Sequence, residues 1–392
     1  MESQTIEKVE AFPLEVPLKS LDTPPESLPY YQELKAVVFG SYKSVIVKLT
    51  TDAGTVGYGE SMSRLSPQAT ASLIIDILRP VILGKDPFDY EKNWEEMYST
   101  MRQRGHGKGY MVEAISGVDI ATWDLMGKIV HKPIYKLLGG AFRDTIQSYA
   151  SSVRFKKPEE VVSEVKSIVE EGFGQVKLKI GRGIEEDMRA VSLLRKEFGD
   201  ELTIMVDANS GYNVNQAIRL GRMLEKYDVE WFEEPIMPDN LPGYSKISNS
   251  LDIPIAAGES EFTRYGFRDL ITIGNVDIIQ PNVGRAGGIT EVKKIIDFAS
   301  AYGIPYAPHT GSSSGVTMAA EIQLAVASSN FLTYEYMRTA WSQEQPNPLK
   351  TDLLKQNIDT PIGGFISRPE GEGLCVDLNE EIINKYLITN KV

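Results

Sequence analysis

The stretch VKLKIGRGIEEDMRAVSLLRKEFGDELTIMVDAN, residues 176–209, contains two strand candidates separated by one helix candidate. VKLKI and LTIMVDAN are rich in aliphatic and β-branched residues, whereas EEDMRAVSLLRKEFG has the apolar spacing of an amphipathic helix. Strand side chains alternate, so Lys177 and Lys179 share one face of VKLKI and its aliphatic residues share the other. This unit predicts two parallel strands joined by a crossover helix.

The same rhythm continues through the second part of the chain. The strand candidates are QSYAS, VKLKI, LTIMVDAN, VEWFEEP, IPIAAGE, VDIIQPN, IPYAPH and FLTYE. Helix candidates lie between them, and eight such units close naturally into a barrel. An open doubly wound sheet is the alternative, but no G-x-G-x-x-G motif follows the first strand, and polar residues recur at strand ends rather than at one switch point.

The first part of the chain has a different pattern. TIEKVEAFPLEVP and SVIVKLTTDAGTVGYGE predict strands, and LDTPPESLPYYQE between them predicts an irregular loop. Two helix candidates follow: QATASLIIDILRPVIL, which Ser66 and Pro67 would begin, and VEAISGVDIATWDLMGKIV. Residues 1–140 therefore predict an α+β module, and the glycines of LLGGAFRD predict the break before the barrel.

Composition limits the partners and the compartment. The net charge of −13 over 392 residues disfavours nonspecific binding to nucleic acid or anionic membranes, which leaves small molecules as the expected partners. A single cysteine, Cys375, excludes an intramolecular disulfide and a cysteine zinc site. MESQTIEKVE carries no hydrophobic signal region, and no apolar stretch reaches membrane-spanning length. We expect a cytoplasmic protein.

Three carboxylates occupy equivalent positions on consecutive strands. Glu233 follows Asp207 by 26 residues, and Glu259 follows Glu233 by the same interval, which is one strand-helix unit. Each could singly be a helix cap or part of a solvated loop. Together at the mouth of a barrel they would repel one another unless a cation neutralised them. Oxygen ligands without His or Cys predict Mg²⁺, with Mn²⁺ possible.

Other polar residues are expected at the same mouth. Lys177 and Lys179 would face it, and a neighbouring ammonium and metal should lower the pKa of one of them enough to make it a base. His309 ends the seventh strand candidate and would serve the opposite side of a substrate. Asn209, two residues after Asp207, could hydrogen-bond that substrate or be a turn residue.

Taken together, these motifs resemble the enolase superfamily, and within it the mandelate racemase group that includes the acid-sugar dehydratases. The similarity covers nearly the whole chain: VGYGE, VKLKI as the K-x-K motif, VDAN, WFEEP, AAGES, AGGITE, PHTG and GLCVDL. The resemblance implies a (β/α)7β modified TIM barrel over residues 141–360. It also implies an α+β capping domain formed by residues 1–140 together with a C-terminal segment, residues 361–392.

The resemblance further implies how the site works. Mg²⁺ would be held by Asp207, Glu233 and Glu259. Lys179 and His309 would be the acid/base groups. We expect Lys177 to be the electrostatic neighbour of Lys179 and to contact the substrate carboxylate. Glu335 would donate a hydrogen bond to that carboxylate. Loops near residues 20–32 and 57–64 would close over the ligand.

One position departs from the family pattern. Members of this group usually carry QPD, with an aspartate that pairs with the histidine, and this chain has QPN, with Asn282. Asparagine can orient His309 through a hydrogen bond but lacks the charge that would raise its pKa. We therefore expect His309 to be mostly neutral.

The predicted activity is Mg²⁺-dependent dehydration of a sugar acid, either an aldonate or an aldarate. The proton alpha to the carboxylate would be abstracted via an enediolate, giving a 2-keto-3-deoxy acid, which is the reaction of a hydro-lyase. The first alternative is an isomerase, a racemase or epimerase of a 2-hydroxy acid that uses Lys179 and His309 as two bases. A noncatalytic sugar-acid-binding protein is the alternative of another class, and we expect a homo-oligomer.

Overall fold

The computed structural model describes residues 4–18, 40–153, 157–338 and 345–389. A small antiparallel sheet comes first, with the order β1 (Ile6–Pro17), β2 (Ser41–Thr51), β3 (Val56–Ser61). These strands match the two predicted strand segments of the first module. The predicted irregular segment LDTPPESLPYYQE, like the expected closing loop near residues 20–32, lies outside the described residues.

Helices cover this sheet. They are α1 (Pro67–Ser72), a π-helical turn (Leu73–Leu78), α2 (Arg79–Ile82), α3 (Tyr90–Arg102), α4 (Tyr110–Ile129) and α5 (Ile134–Leu137). α4 packs so closely on β3 that a Cβ at Gly59 would lie 2.0 Å from the carbonyl oxygen of Gly117. Only glycine permits this approach, which buries α4 between the sheet and the barrel. Among the helices that the structure describes, none combines the length and apolar character that a bilayer crossing requires.

Parallel strands in chain order form the barrel. They are β4 (Thr145–Val153), β5 (Gln175–Lys179), β6 (Thr203–Asp207), β7 (Phe232–Glu233), β8 (Ile255–Ala257), β9 (Ile278–Ile279) and β10 (Tyr334–Met337). The candidate IPYAPH contributes only Tyr306, which makes single bridges to Ile279 and Phe331. β10 then pairs with β4 and completes the circuit. The predicted barrel class and strand order are confirmed, with the seventh strand reduced to one bridged residue.

Crossover helices surround these strands. They are α6 (Pro158–Glu170), α7 (Ile184–Phe198), α8 (Val214–Leu224), α9 (Leu241–Ser248), α10 (Thr263–Thr272), α11 (Val283–Ala286), α12 (Gly288–Ala301) and α13 (Gly315–Ala327). The chain ends with α14 (Pro348–Thr351), β11 (Phe365–Ser367) and α15 (Glu380–Tyr386). β11 pairs with β4 of the barrel, whereas Leu387 bridges Leu14 of β1. The C-terminal segment thus contacts both parts, and the domain boundaries at 140 and 360 stay predictions.

Two buried carboxylates fasten the first module, the cap, to the mouth of the barrel. Glu60 of β3 accepts hydrogen bonds from the backbone N–H groups of Ser314 (2.9 Å) and Thr317 (3.0 Å) at the start of α13. Asp119 of α4 accepts from the backbone N–H (2.9 Å) and the hydroxyl (2.6 Å) of Thr290. The cap therefore fixes the segment that follows His309.

Candidate active site

The three carboxylates predicted from the sequence spacing converge at the barrel mouth. Asp207 ends β6 and pairs in register with Glu233, which ends β7, while Glu259 follows β8. One ligand atom from each lies within 4.8 Å of the others. Asp207 and Glu233 are buried, and Glu259 is partly exposed toward a cavity. Parallel strands bring these side chains together because their carboxyl ends share one edge of the barrel.

This donor set fits a hard divalent cation. All three ligands are carboxylate oxygens, the donors that Mg²⁺ and Mn²⁺ prefer, and no histidine or cysteine belongs to the triad. Burial first, then the charges of the neighbouring carboxylates, raises the pKa of Glu233, although Lys177 opposes this rise. A cluster that repels itself in this way gains stability from an added positive charge. The triad could therefore hold a metal ion.

Lys177 lies deep in the barrel beneath this triad. Its side chain is 1% exposed, and its Nζ lies 2.7 Å from Glu233 Oε1, 3.0 Å from Glu335 Oε1 and 3.9 Å from Asp207 Oδ2. Burial lowers the pKa of Lys177, but these carboxylates outweigh it and hold the pKa well above its ordinary value. Lys177 is therefore a fixed positive charge that contacts carboxylates on three other strands, β6, β7 and β10.

Lys179 is the more accessible lysine, with 12% of its side chain exposed. Its ammonium forms an ion pair with Asp207 and donates to Oδ1 of Asn209 at 2.9 Å. Burial lowers the pKa of Lys179, but Asp207 outweighs it, so the pKa is raised. The sequence predicts a lowered pKa for one of the two lysines. The charges around Lys179 do the opposite, because Asp207 acts on its ammonium more strongly than Lys177 does.

Asn209 occupies the position expected for a substrate contact. It adopts a positive φ of 41°, its backbone N–H donates to Asp207 Oδ1 at 2.9 Å, and its side chain lines the cavity. These contacts also show the turn role that the sequence left open. Asn209 therefore fixes the end of β6 and presents its amide to the cavity.

His309 lies across the mouth from the lysines, with Nε2 3.3 Å from Glu259 Oε2. Burial lowers the pKa of His309 to about 4, although Glu259 opposes this shift. The imidazole is therefore neutral near pH 7, as the sequence predicted, and burial is the main cause. A neutral ring carries its proton on only one nitrogen, so its neighbours determine which nitrogen can donate.

Two neighbours bear on that choice: Glu259, whose carboxylate lies beside Nε2, and Asn282, whose amide lies beside Nδ1. Oδ1 of Asn282 accepts from the backbone N–H of Gly284 at 3.0 Å, and its Nδ2 donates to the carbonyl oxygen of His309 at 2.8 Å. These bonds fix the amide orientation, so it is Nδ2 that faces Nδ1 of His309, at 3.4 Å. A donor at that position favours an unprotonated Nδ1 and a proton on Nε2. Asn282 thus orients His309 by donating a hydrogen bond, whereas an aspartate would accept one.

Glu335 accepts hydrogen bonds in this structure, whereas the resemblance implied that it donates one to the substrate carboxylate. Its Oε1 contacts Lys177 and accepts from Ser151 Oγ at 2.6 Å, while its Oε2 accepts from the backbone N–H groups of Thr310 (2.7 Å) and Gly311 (3.2 Å). Burial opposes ionisation, but Lys177 holds the pKa of Glu335 well below its ordinary value. An ionised carboxylate cannot donate. Glu335 instead positions Lys177 and the segment after His309.

A cavity of about 440 Å³ opens beside Glu259 and Asn209. Its walls come from the cap (Met62, Arg64, Leu65, Gly109, Tyr110, Glu113) and from the barrel (Asn209, Ser210, Glu234, Met237, Pro238, Glu259, Ser260, Phe262, Arg285). Of the segment 57–64 that we expected to close over the ligand, residues 57–61 belong to β3 and only those that follow can reach the cavity. The strand is fixed there by its close packing on α4.

Sequence reasoning missed two acidic residues of this cavity. Glu234 was visible only as the neighbour of Glu233, yet it is buried, and burial together with the charges of Glu259 and Asp207 raises its pKa well above the usual range. Glu113 lies on α4, a helix whose residues are buried almost throughout. An acidic residue within such an apolar helix was the signal that could have identified it.

Comparisons with known proteins agree with this geometry. The family model described as "Enolase C-terminal domain-like" matches residues 160–382, and the model "Mandelate racemase / muconate lactonizing enzyme, N-terminal domain" matches residues 24–139. D-galactarolactone cycloisomerase of Agrobacterium fabrum is 33% identical over 379 residues, 93% of this chain and 95% of that protein. Arabinonate dehydratase of Saccharolobus solfataricus is 34% identical over 348 residues, 87% of this chain and 90% of that protein.

Solved structures give the same result for the fold. The crystal structure of the 3,6-anhydro-D-galactonate cycloisomerase from Zobellia galactanivorans superimposes with a TM-score of 0.85 at 32% identity. The match covers 98% of this chain and all of that one, so both the cap and the barrel are included.

Proposed function

Because the chain belongs to the mandelate racemase group of the enolase superfamily, we propose that it is a magnesium-dependent dehydratase of a sugar acid, which it converts to a 2-keto-3-deoxy acid. The observation that carries this proposal is the convergence of three carboxylates between Lys179 on one side and His309 on the other. The similarity to an arabinonate dehydratase supports a hydro-lyase.

Each residue of the site has a part in this reaction. Asp207, Glu233 and Glu259 would hold Mg²⁺. When bound, Mg²⁺ supplies positive charge that stabilises the anion developing on the substrate carboxylate and that favours a neutral amine on the adjacent lysines. Lys177, fixed by Glu233 and Glu335, adds a permanent positive charge next to that carboxylate. Asn209 would orient the substrate from the end of β6.

Proton transfer would proceed from Lys179 to the leaving group. Lys179 in its amine form takes the proton from C2, and the electron pair of the C–H bond moves into the carboxylate to give an enediolate. That pair then returns as the C3–O bond breaks. The Nε2–H of His309 hydrogen-bonds the departing hydroxyl, which leaves as water with the proton that Lys179 had taken. The resulting enol loses its O–H proton to solvent and gains a proton at C3, and so becomes the keto acid.

An isomerase is the second candidate, because two proteins that the chain resembles are named cycloisomerases. A racemase or epimerase with two bases would need a lone pair on Nε2 of His309. Asn282 favours the opposite tautomer, with the proton on Nε2, and this supports dehydration over two-base inversion. The noncatalytic alternative accounts poorly for two proton-transfer groups placed on either side of the triad.

One assay separates these functions. The purified protein would be incubated with Mg²⁺ and a panel of aldonates, aldarates and their lactones in D₂O, and the products analysed by mass spectrometry and by carbonyl derivatisation. A dehydratase gives a keto acid that has lost water. An isomerase gives a product without loss of water, with deuterium incorporated at C2. A noncatalytic protein gives neither, and that outcome would contradict our proposal.

A further inference from the structure

Glu113 lines the cavity, and one of its two carboxylate oxygens has no hydrogen-bond partner among the residues that the structure describes. The residue lies in the first turn of α4 and is 6% exposed. Its Oε1 accepts from Nε of Arg285 at 3.1 Å, whereas its Oε2 is buried without a hydrogen-bond partner in the described part of the chain. A buried carboxylate oxygen without a donor is costly. Glu113 lines the cavity, so a ligand whose hydroxyl reached this oxygen and donated a hydrogen bond to it would remove that cost.

Arg285 ties this position to the reacting end of the site. Its Nη1 donates to the carbonyl oxygen of Glu259 at 2.9 Å, and its guanidinium lies 5.0 Å from the centre of the Phe262 ring. One side chain thus spans from the backbone of a metal-site residue to Glu113. A sugar acid whose carboxylate end lies at Glu259 would direct its remaining carbons along Arg285 toward Glu113.

The charges around the cavity favour one of two groups at the far end of the sugar acid, a hydroxyl or a second carboxylate. Arg285 is already paired with Glu113, so its charge is not free to bind a second carboxylate. The other arginine of the wall, Arg64, lies toward the reacting end, because its Nη2 would be 2.5 Å from a Cβ built on Gly311, close to His309. A hydroxyl can donate to Oε2 of Glu113, whereas a second carboxylate would be repelled there.

We propose that Glu113, held by Arg285, binds the distal hydroxyl groups of the sugar acid and thereby selects aldonates over the corresponding aldarates. This inference rests on the proposed function and deepens it, since the sequence left the two classes of acid equal. Glu113 is a specificity-determining residue in this account and takes no part in proton transfer.

The test compares matched pairs of acids that differ only in the distal group, gluconate with glucarate and galactonate with galactarate. We expect kcat/KM of the wild type to favour the aldonate of the accepted configuration by about tenfold or more, the effect of one hydrogen bond to a charged group. Glu113→Gln keeps an acceptor for Arg285 but places an NH₂ group at the free position. It should raise KM for the aldonate by about tenfold, with little change in kcat, and should raise activity toward the aldarate.

Glu95→Gln is the matched control. Glu95 also pairs with an arginine across the junction of cap and barrel, Arg264, but neither residue lines the cavity. In this variant the ratio of kcat/KM for the aldonate to kcat/KM for the aldarate should equal that of the wild type. Equal use of the two acids by the wild type, or an unchanged ratio in Glu113→Gln, would overturn the inference while leaving the dehydratase proposal intact.

Equilibrium binding separates failure of the inference from failure of the proposed function. Dissociation constants of the same acids would be measured by calorimetry with Mg²⁺ on Lys179→Ala, with and without Glu113→Gln. Preferential binding of aldonates that is lost with Glu113→Gln supports the inference even if no acid is dehydrated. Failure of every acid to bind would reject the inference together with the function on which it rests.

Discussion

Nδ2 of Asn282 lies 3.4 Å from Nδ1 of His309, and the hydrogen bonds to Gly284 and to the His309 carbonyl hold the amide in that orientation. The site thus places a donor against Nδ1, whereas an aspartate at position 282 would accept a hydrogen bond from Nδ1–H. The opposite nitrogen, Nε2, then carries the only proton of the neutral ring. His309 is accordingly suited to donate at Nε2 at neutral pH.

Replacing Asn282 by aspartate should reverse this tautomer. The introduced carboxylate would accept from Nδ1–H, leave a lone pair on Nε2, and raise the pKa of His309 from its value of about 4. Because Nε2 of the variant carries a proton only below that raised pKa, dehydration should decline as pH rises through it, where the wild type shows no such limb. The measurement is kcat/KM between about pH 5 and pH 9.

The same variant also tests the isomerase alternative. A lone pair on Nε2 makes His309 a base, so two-base inversion should become faster in Asn282→Asp at pH values above the raised pKa. Deuterium exchange at C2, measured separately from loss of water, would report this. A faster dehydration at high pH, or a profile identical to that of the wild type, would refute the role that we assign to Nε2–H.

The two lysines should respond differently to substitution. Lys177→Met leaves Glu233 and Glu335 without their buried partner, so unfolding should become easier by about 3 kcal/mol or more, and ligand binding should weaken. Lys179→Ala leaves Asp207 with Lys177 still 3.9 Å away, so it should lose less stability than Lys177→Met and retain ligand binding, but lose exchange of the C2 proton. Thermal unfolding, calorimetry and NMR of deuterium uptake measure the three effects. Near-normal turnover in both variants would exclude both lysines from the mechanism.

Removal of divalent ions should abolish turnover, and Mg²⁺ should restore it. Asp207→Asn or Glu259→Gln should lower activity by about a hundredfold or more, and should weaken the Mg²⁺-dependent increase in melting temperature, because each removes one charged oxygen ligand. Glu225→Gln is the control: its carboxylate caps the Asp252 backbone N–H away from the triad, so it should leave metal binding unchanged. Full activity after exhaustive chelation would exclude a metal mechanism.

The junction between cap and barrel should weaken as pH rises. Burial raises the pKa of Asp119 to about 7, although the hydrogen bonds from Thr290 oppose the shift. A carboxyl with a raised pKa contributes stability that is complete below its unfolded pKa of 3.8 and is lost as pH rises from there through about 7. The difference in unfolding free energy between the wild type and Asp119→Asn should therefore fall between about pH 4 and pH 7. A constant difference would contradict this.

The strand order could be predicted because local signals agreed with the global fold. Aliphatic strands and amphipathic helices such as α7 alternate with a regular interval, and that interval alone aligned Asp207, Glu233 and Glu259. α13 gave a weaker signal, because all its residues are buried and the helix shows no polar face. The reduced seventh strand did have a signal in the sequence, since Pro305 and Pro308 of IPYAPH have no N–H group to donate to a neighbouring strand.

The pKa shifts at the site were harder to predict from the sequence than the identity of the residues that form it. A sequence shows that Lys177 and Lys179 share a face, but the sign of their pKa shifts depends on how near Glu335 and Asp207 approach them in space. The accepting role of Glu335 likewise depends on backbone N–H groups that no motif reveals. Glu113 reaches the cavity only because the cap lies over the barrel, a relation between segments that are far apart in the chain.

The division of the cavity between two parts of the chain bears on how such enzymes diversify. The residues that would move protons and hold the metal lie on barrel strands and the loops that follow them, whereas Met62, Leu65 and Glu113 line the cavity from the cap. Substitutions on the cap side can therefore alter which nutrient is accepted without disturbing the reaction itself. A gene duplicate under selection for a new carbon source could explore those positions first, and inherit the chemistry unchanged.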